Sequence, residues 1–277
     1  MSIVACLVPS LQRVYQQSRV SKGGKTLVLD TALNERSSFQ VAVRNPGDRD
    51  HASVRVTAEA PTAIEVSVRR VGYVPLRHLN TPVEPDDADL EGRDYVPGFV
   101  PDPLFDIAEA TIPPQETHAF WVTVVPGRNA RPGRHVIEIQ VSETGGGSAT
   151  LRADVELHDV RLQKRRGFNI THWFYADALL DWYGLELFEK AFWPIAEQYF
   201  RNYTEHGLDT LYLPLFTPPL DGDKRPTQLL RIKQRGPHSY RFDWRDVKKW
   251  VDLAKKCGVT RFECVHFFRQ WGVKLAP

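Results

Sequence analysis

The sequence predicts two domains of different class: an antiparallel β-sandwich over residues 1–160, then an α/β region over residues 167–277 built on a parallel sheet. Three observations predict it. Apolar residues alternate with period two through the first part, they recur at helical spacing in the second, and each helical stretch there ends at a glycine followed by an apolar run. At 277 residues, 42% of them apolar and 25% charged, the chain has the material for packed cores and no sign of disorder.

The start carries only a six-residue apolar run, Ile3 to Val8, with no basic residue before it, so it lacks the pattern of a secretory signal. No run reaches transmembrane length. Cys6, Cys257 and Cys264 are too few and too odd in number for a disulfide framework, which predicts reduced thiols, packing roles for Cys257 and Cys264, and a cytoplasmic protein. A mature fragment whose signal had been removed would read the same way.

The predicted strands follow in order. Phe39, Val41 and Val43 share a face, with Gln40 and Arg44 on the other; Ile64, Val66 and Val68 oppose Glu65, Ser67 and Arg69. The alternation returns in Phe120, Val122 and Val124, in Ile137, Ile139 and Val141, and in Leu151, Ala153, Val155 and Leu157. Turn sequences such as "RNPGDRD" and "SETGGGSAT" separate them, as in a sandwich of half-buried strands. Residues 78–117 break the rhythm with seven prolines, which predicts a long ordered excursion. Its acids Glu84, Asp86, Asp87 and Asp89 lack the ligand register of a calcium loop and read as solvated.

After "RLQKRRG" the period changes. Phe192, Ile195, Ala196, Tyr199 and Tyr203 describe a helix stopped at Gly207; Val247, Trp250, Val251 and Ala254 describe another stopped at Gly258, with Asp243 as its N-cap and Asp246 three residues on. "GFNITHWFY", "HGLDTLYLPLF" and "CGVTRFECVHFF" supply strands, the last two apolar enough to be buried on both faces. Strand, helix, strand, helix, strand implies right-handed βαβ units.

In such sheets ligands bind beyond the carboxyl ends of the strands. His172 to Asp177, Phe216 to Leu220 and His266 to Trp271 all fall there, and rings with polar tips suit a sugar, whose C–H faces stack while its hydroxyls take hydrogen bonds. Taken singly, Trp173 and Phe174 read equally as core, the two histidines as structural, and Asp177 and Asp181 as helix caps. The coincidence of three ring-rich strand ends is the signal.

Thirty-six basic against 34 acidic residues, a net charge of +2, give no case for nucleic acid or an acidic membrane. No phosphate loop, dinucleotide fingerprint or nucleophile elbow is present, no cofactor is implied, and Glu263, Cys264 and His266 do not share one strand face as metal ligands would. A glycosidase needs two carboxyl groups, or one acid and a residue that steers the substrate's own acetamido group. The chain has no Asp-Glu dipeptide, and Asp177, Asp221, Asp223 and Glu263 near the edge have no evident partners, so no catalytic residue is assigned.

"THWFYADALLDWYG", "YLPLFTPPLDGDKRPTQLL", "YRFDWRDVKKWVDLAKKCGV" and "FECVHFFRQWGVKLAP" resemble consecutive blocks of bacterial proteins related to glycoside hydrolase family 123, and "NERSSFQVAVRN" and "YVPGFVPDPLF" resemble the sandwich that precedes the barrel there. The resemblance implies an incomplete (β/α)8 (TIM) barrel with about three βα units. It also implies a parent activity of retaining, substrate-assisted hydrolysis of N-acetyl-β-hexosaminides, galactosaminide-like, by an adjacent Asp-Glu pair. That pair is missing, so this chain is expected to be a truncated N-terminal portion, inactive alone, with open barrel edges that invite self-association. The sugar-facing wall carried over by the resemblance is His172, Trp173, Tyr175, Asp177, Thr217, His266, Gln270 and Trp271, facing an N-acetylated sugar or glycan. The alternative is a non-catalytic carbohydrate-binding or assembly module.

Overall fold

The computed structural model describes residues 3–20, 26–77, 97–163, 167–216 and 227–264. Thr217, His266, Gln270 and Trp271 of the expected wall lie outside the described residues, as do Asp221, Asp223 and the acids Glu84, Asp86, Asp87 and Asp89. The chain divides into two compact units, Met1–Gln163 and Lys164–Pro277. No helix among the described residues is long and apolar enough to cross a membrane.

Among its described residues the first unit holds ten strands: β1 (Val4–Pro9), β2 (Thr26–Ala32), β3 (Ser37–Arg44), β4 (Ala52–Glu59), β5 (Ile64–Leu76), β6 (Gly98–Phe105), β7 (Glu109–Ile112), β8 (Thr117–Pro126), β9 (Gly133–Glu143) and β10 (Ser148–His158). They form two five-stranded sheets, β1-β3-β8-β5-β6 and β2-β10-β9-β4-β7. The period-two residues Phe39, Val41 and Val43 of β3, Phe120, Val122 and Val124 of β8, Ile137, Ile139 and Val141 of β9, and Val155 of β10 are fully buried in one shared cluster. Each such side chain contributes about 1.5–3 kcal/mol on leaving water, so the alternation itself drives the two sheets together.

Two features depart from the sequence reading. Strand β2 pairs with β10 in parallel, Thr26 opposite Arg152, whereas every other pair in the unit is antiparallel. No hairpin links these two distant segments, so no tight turn dictates their sense. The proline-rich stretch expected as an excursion contributes β6 and β7, the outer strands of the two sheets. An outer strand needs only one side of its backbone for the ladder, which is why Pro101 and Pro103 are tolerated in β6. Where β6 crosses β5, Gly72 lies so close to the Phe105 ring that a Cβ there would run into it.

The second unit runs β11 (Thr171–His172), α1 (Ala176–Tyr183), α2 (Phe192–Glu205), β12 (Thr210–Leu213), β13 (Arg231–Gly236), β14 (Ser239–Asp243), α3 (Arg245–Lys256) and β15 (Arg261–Cys264). Strands β11, β12 and β15 form an open three-stranded parallel sheet in that order, and β13 and β14 form a separate hairpin. The described residues thus hold two strand-to-strand crossovers and no closed barrel. Phe192, Ala196 and Phe200 of α2 meet Val247, Trp250 and Ala254 of α3 in one buried cluster, with the Trp250 ring 4.9 Å from that of Phe200. The three helices among the described residues stop as glycine dictates: Gly184, Gly207 and Gly258 take φ of 62°, 84° and 98°. The next residue of each then reaches back, Leu185 to Leu180, Leu208 to Tyr203 and Val259 to Ala254, closing the helix end.

Three local expectations are corrected. The residue at the start of α3 is Trp244, without a side-chain cap; Asp243 instead accepts the Arg245 N–H at 3.1 Å and grips its guanidinium, while Asp246 pairs with Arg231 at 2.7 Å. Strand β15 is not buried on both faces, because it is an outer strand: Arg261 and Cys264 are exposed and Phe262 and Glu263 half-buried. Cys264 therefore has no packing role, whereas Cys257 does sit in the core.

Candidate functional site

The chain leaving β11 keeps its period of two, and this divides the ring-rich stretch. Phe174 turns to the core, its ring 5.4 Å from Phe200 and 6.1 Å from Trp250. Trp173 and Tyr175 turn the other way and meet Tyr212 of β12, with centroid separations of 6.4 Å between the first two, 6.2 Å from Trp173 to Tyr212 and 5.9 Å from Tyr175 to Tyr212. Edge-on and tilted pairs of this kind contribute about 0.5–1.5 kcal/mol each beyond their burial. The triangle is graded in exposure: Tyr212 is buried, Tyr175 half-buried, and Trp173 is 54% exposed.

Register adds a carboxylate to this cluster. Tyr212 lies opposite Glu263 across the β12–β15 ladder, so both belong to one face of the sheet. Burial pushes the Tyr212 phenol up to about 12, and the charge of Glu263 acts in the same direction. Tyr175 is raised too, first by burial and then by the nearby charges of Asp177 and Glu263. Asp177 is buried in the first turn of α1. The phenols of Tyr175 and Tyr212 offer O–H donors and the side chains of Asp177 and Glu263 offer carboxyl oxygens, beside an exposed indole face. Such a set can hold a ring with both hydroxyls and C–H faces.

Beneath it, Tyr203 of α2 fixes the strands. Its phenol oxygen accepts the His172 N–H at 2.8 Å and donates to the Thr210 carbonyl at 2.6 Å. The His172 side chain itself is exposed. The structure therefore brings together Trp173, Tyr175 and the charge of Asp177 from the expected wall. Sequence reading missed Tyr212 and gave Glu263 no role. The available signal was Tyr212 itself, a polar-tipped ring in the apolar run "LYLPLF", one register step from the acid of the next strand.

Residues 173–277 match the family model described as glycoside hydrolase 123, catalytic domain. No curated protein sequence matches the chain. Among solved structures, the chain is similar to a family 123 glycoside hydrolase from Clostridium perfringens, which is described in terms of glycolipid glycan hydrolysis. The identity is 13% and the TM-score 0.73, over 96% of this chain and 49% of that one, so the likeness is one of fold and the chain spans about half that enzyme's length. A FixG-related protein from Vibrio parahaemolyticus (4% identity, TM-score 0.30, 56% and 95% covered) and a Bacteroides ovatus GH5 xyloglucanase (10%, 0.24, 91% and 46%) are too distant to carry an argument.

Proposed function

We propose, from the premise that this chain is a glycoside hydrolase family 123-like protein, that its second unit is the N-terminal part of a (β/α)8 glycosidase-like domain following a β-sandwich domain, and that its ring cluster faces a carbohydrate. The observation that carries this reading is the triangle of Trp173, Tyr175 and Tyr212 at the carboxyl ends of β11 and β12, inside the matched segment. A sugar ring stacks its C–H face on the exposed Trp173 indole, while Tyr175 donates to, and Asp177 and Glu263 accept from, its hydroxyls. The substrate class is an N-acetyl-β-hexosaminide, galactosaminide-like. His172, Thr217, His266, Gln270 and Trp271 complete the wall in this reading.

In hydrolysis of that class the substrate's acetamido oxygen, steered by one carboxylate, attacks the anomeric carbon while a second carboxyl group protonates the departing glycosidic oxygen. This chain contains no Asp-Glu dipeptide, so neither role is assigned to its residues, and binding rather than turnover is its expected contribution. The same observation favours a second reading, a non-catalytic carbohydrate-binding module.

The test is titration of the full chain with methyl N-acetyl-β-galactosaminide, followed by saturation-transfer NMR. Binding is expected, and Trp173→Ala should weaken it about tenfold, as loss of one stacking face does. Absence of any sugar contact, or binding indifferent to Trp173→Ala, overturns the reading. Release of nitrophenol from the corresponding nitrophenyl glycoside would decide against the non-catalytic alternative.

A further inference from the structure

The small net charge of the chain conceals a concentration. Residues 231–256 hold nine Lys and Arg against three Asp. On the β13–β14 hairpin, Lys233 stands directly opposite Arg241, an arrangement that destabilises a strand pair, and all the residues of both strands except Gly236 and Asp243 are exposed. A lone two-stranded hairpin has little stability to spare for such a repulsion. Other cations nearby are neutralised: Arg231 by Asp246 at 2.7 Å and Arg245 by Asp243 at 2.6 Å, which holds the Asp243 carboxyl down at about 2. Lys233, Arg235 and Arg241 enter no ion pair among the described residues.

These three cations line a cavity of about 660 Å³ together with Trp244, which is 53% exposed. The hairpin is tied to the ligand edge of the sheet: Leu229 donates to the Pro214 carbonyl at 2.9 Å and Leu230 to Leu215 at 3.1 Å, just beyond the end of β12. A concavity of this size fits one or two sugar residues. Asp243, Asp246 and Asp252 intersperse the cations of this stretch, of which Lys248, Lys249, Lys255 and Lys256 on α3 lie outside the cavity, so the hairpin carries no unbroken basic stripe of the kind that a nucleic acid or membrane surface requires.

We propose that this cavity holds a carboxylate-bearing residue of an acidic glycan, with the carboxylate between Lys233, Arg235 and Arg241 and the sugar ring against Trp244. A guanidinium fork matches a carboxylate with two parallel hydrogen bonds, and an exposed indole supplies the stacking face. The bound anion also relieves the repulsion between Lys233 and Arg241. The proposal rests on the reading of the second unit as sugar-binding and adds a charge requirement to it.

The test compares sialyllactose with lactose as ligands of the full chain by calorimetric titration at two salt concentrations. The expected result is salt-sensitive binding of sialyllactose and none of lactose. Lys233→Ser with Arg241→Ser should weaken the former by about tenfold or more, with an unfolding midpoint equal to or above that of the parent chain. Arg128→Ser, an exposed cation of the first unit, should change nothing. Equal binding of the two sugars, an indifferent double variant, or binding only to phosphatidylserine vesicles overturns the proposal. Loss of neutral N-acetylgalactosaminide binding in Trp173→Ala with sialyllactose binding intact tests the ring cluster separately, so failure at one site is distinguishable from failure at the other.

Discussion

The phenol of Tyr203 serves two strands at once, taking the His172 amide proton and giving its own to the Thr210 carbonyl. Tyr203→Phe leaves both groups short of a partner, and about 1–3 kcal/mol should disappear from the stability of the second unit in a urea titration; an unchanged midpoint would refute the role. Tyr212 carries a pH signature. Its folded pKa of about 12 lies above the ordinary 10.0, so its contribution is complete below pH 10 and is lost as pH rises from there towards 12. Tyr212→Phe should flatten that alkaline limb. Asp154 acts in the opposite sense, held low chiefly by Arg134 at 2.6 Å and then by Arg152 at 2.9 Å, so its contribution is present above the ordinary carboxylate range and fades as pH falls. Asp154→Asn should reduce the acid sensitivity of the first unit, read from circular dichroism between pH 5 and 2 at fixed temperature. Of the expected wall, Trp173 and Tyr175 were named from the ring-rich strand end and the family resemblance; the alternation that sets Phe174 apart from them emerges only in the structure. Tyr212 was hidden in a run whose other members are all core.

Helix ends were the most legible elements, since only glycine enters the left-handed region without strain and Gly207 and Gly258 follow helical patterns directly. A Cβ at Gly258 would meet Thr204 only at ordinary contact distance, 3.7 Å, which leaves backbone strain as the whole penalty. Gly258→Ala should therefore cost about 1–2 kcal/mol in chemical denaturation, the penalty of a left-handed alanine; a neutral outcome would contradict the helix stop. The start of α3 was less legible, because the Asp243 carboxylate that patterning assigns to a cap is drawn off by the Arg245 guanidinium. The β13–β14 hairpin escaped notice for a related reason. Its alternate positions are filled by cations, so the apolar period survives only in Ile232, Tyr240 and Phe242. Strand β6 was masked by Pro101 and Pro103, which an outer strand accommodates.

At the scale of the molecule, each unit has its own core cluster. Phe120→Ala removes a fully buried ring from the first and should lower its stability by about 3–5 kcal/mol. Calorimetry is expected to show one transition displaced and the other in its original position; a single transition moving as a whole would mean that the units unfold together. The change of period between the two halves was plain in the sequence because period-two and helical patterns bury different faces. The parallel pairing of β2 with β10 was not, since nothing local specifies a partner so far along the chain. That pairing has a consequence during synthesis. Thr26 cannot meet Arg152 until the ribosome has released everything between them, a wait of roughly 6–25 s at about 5–20 residues per second. For that interval the nascent chain carries an unclaimed strand, and a chaperone that shelters residues 26–32 has its work limited to the time before β10 emerges.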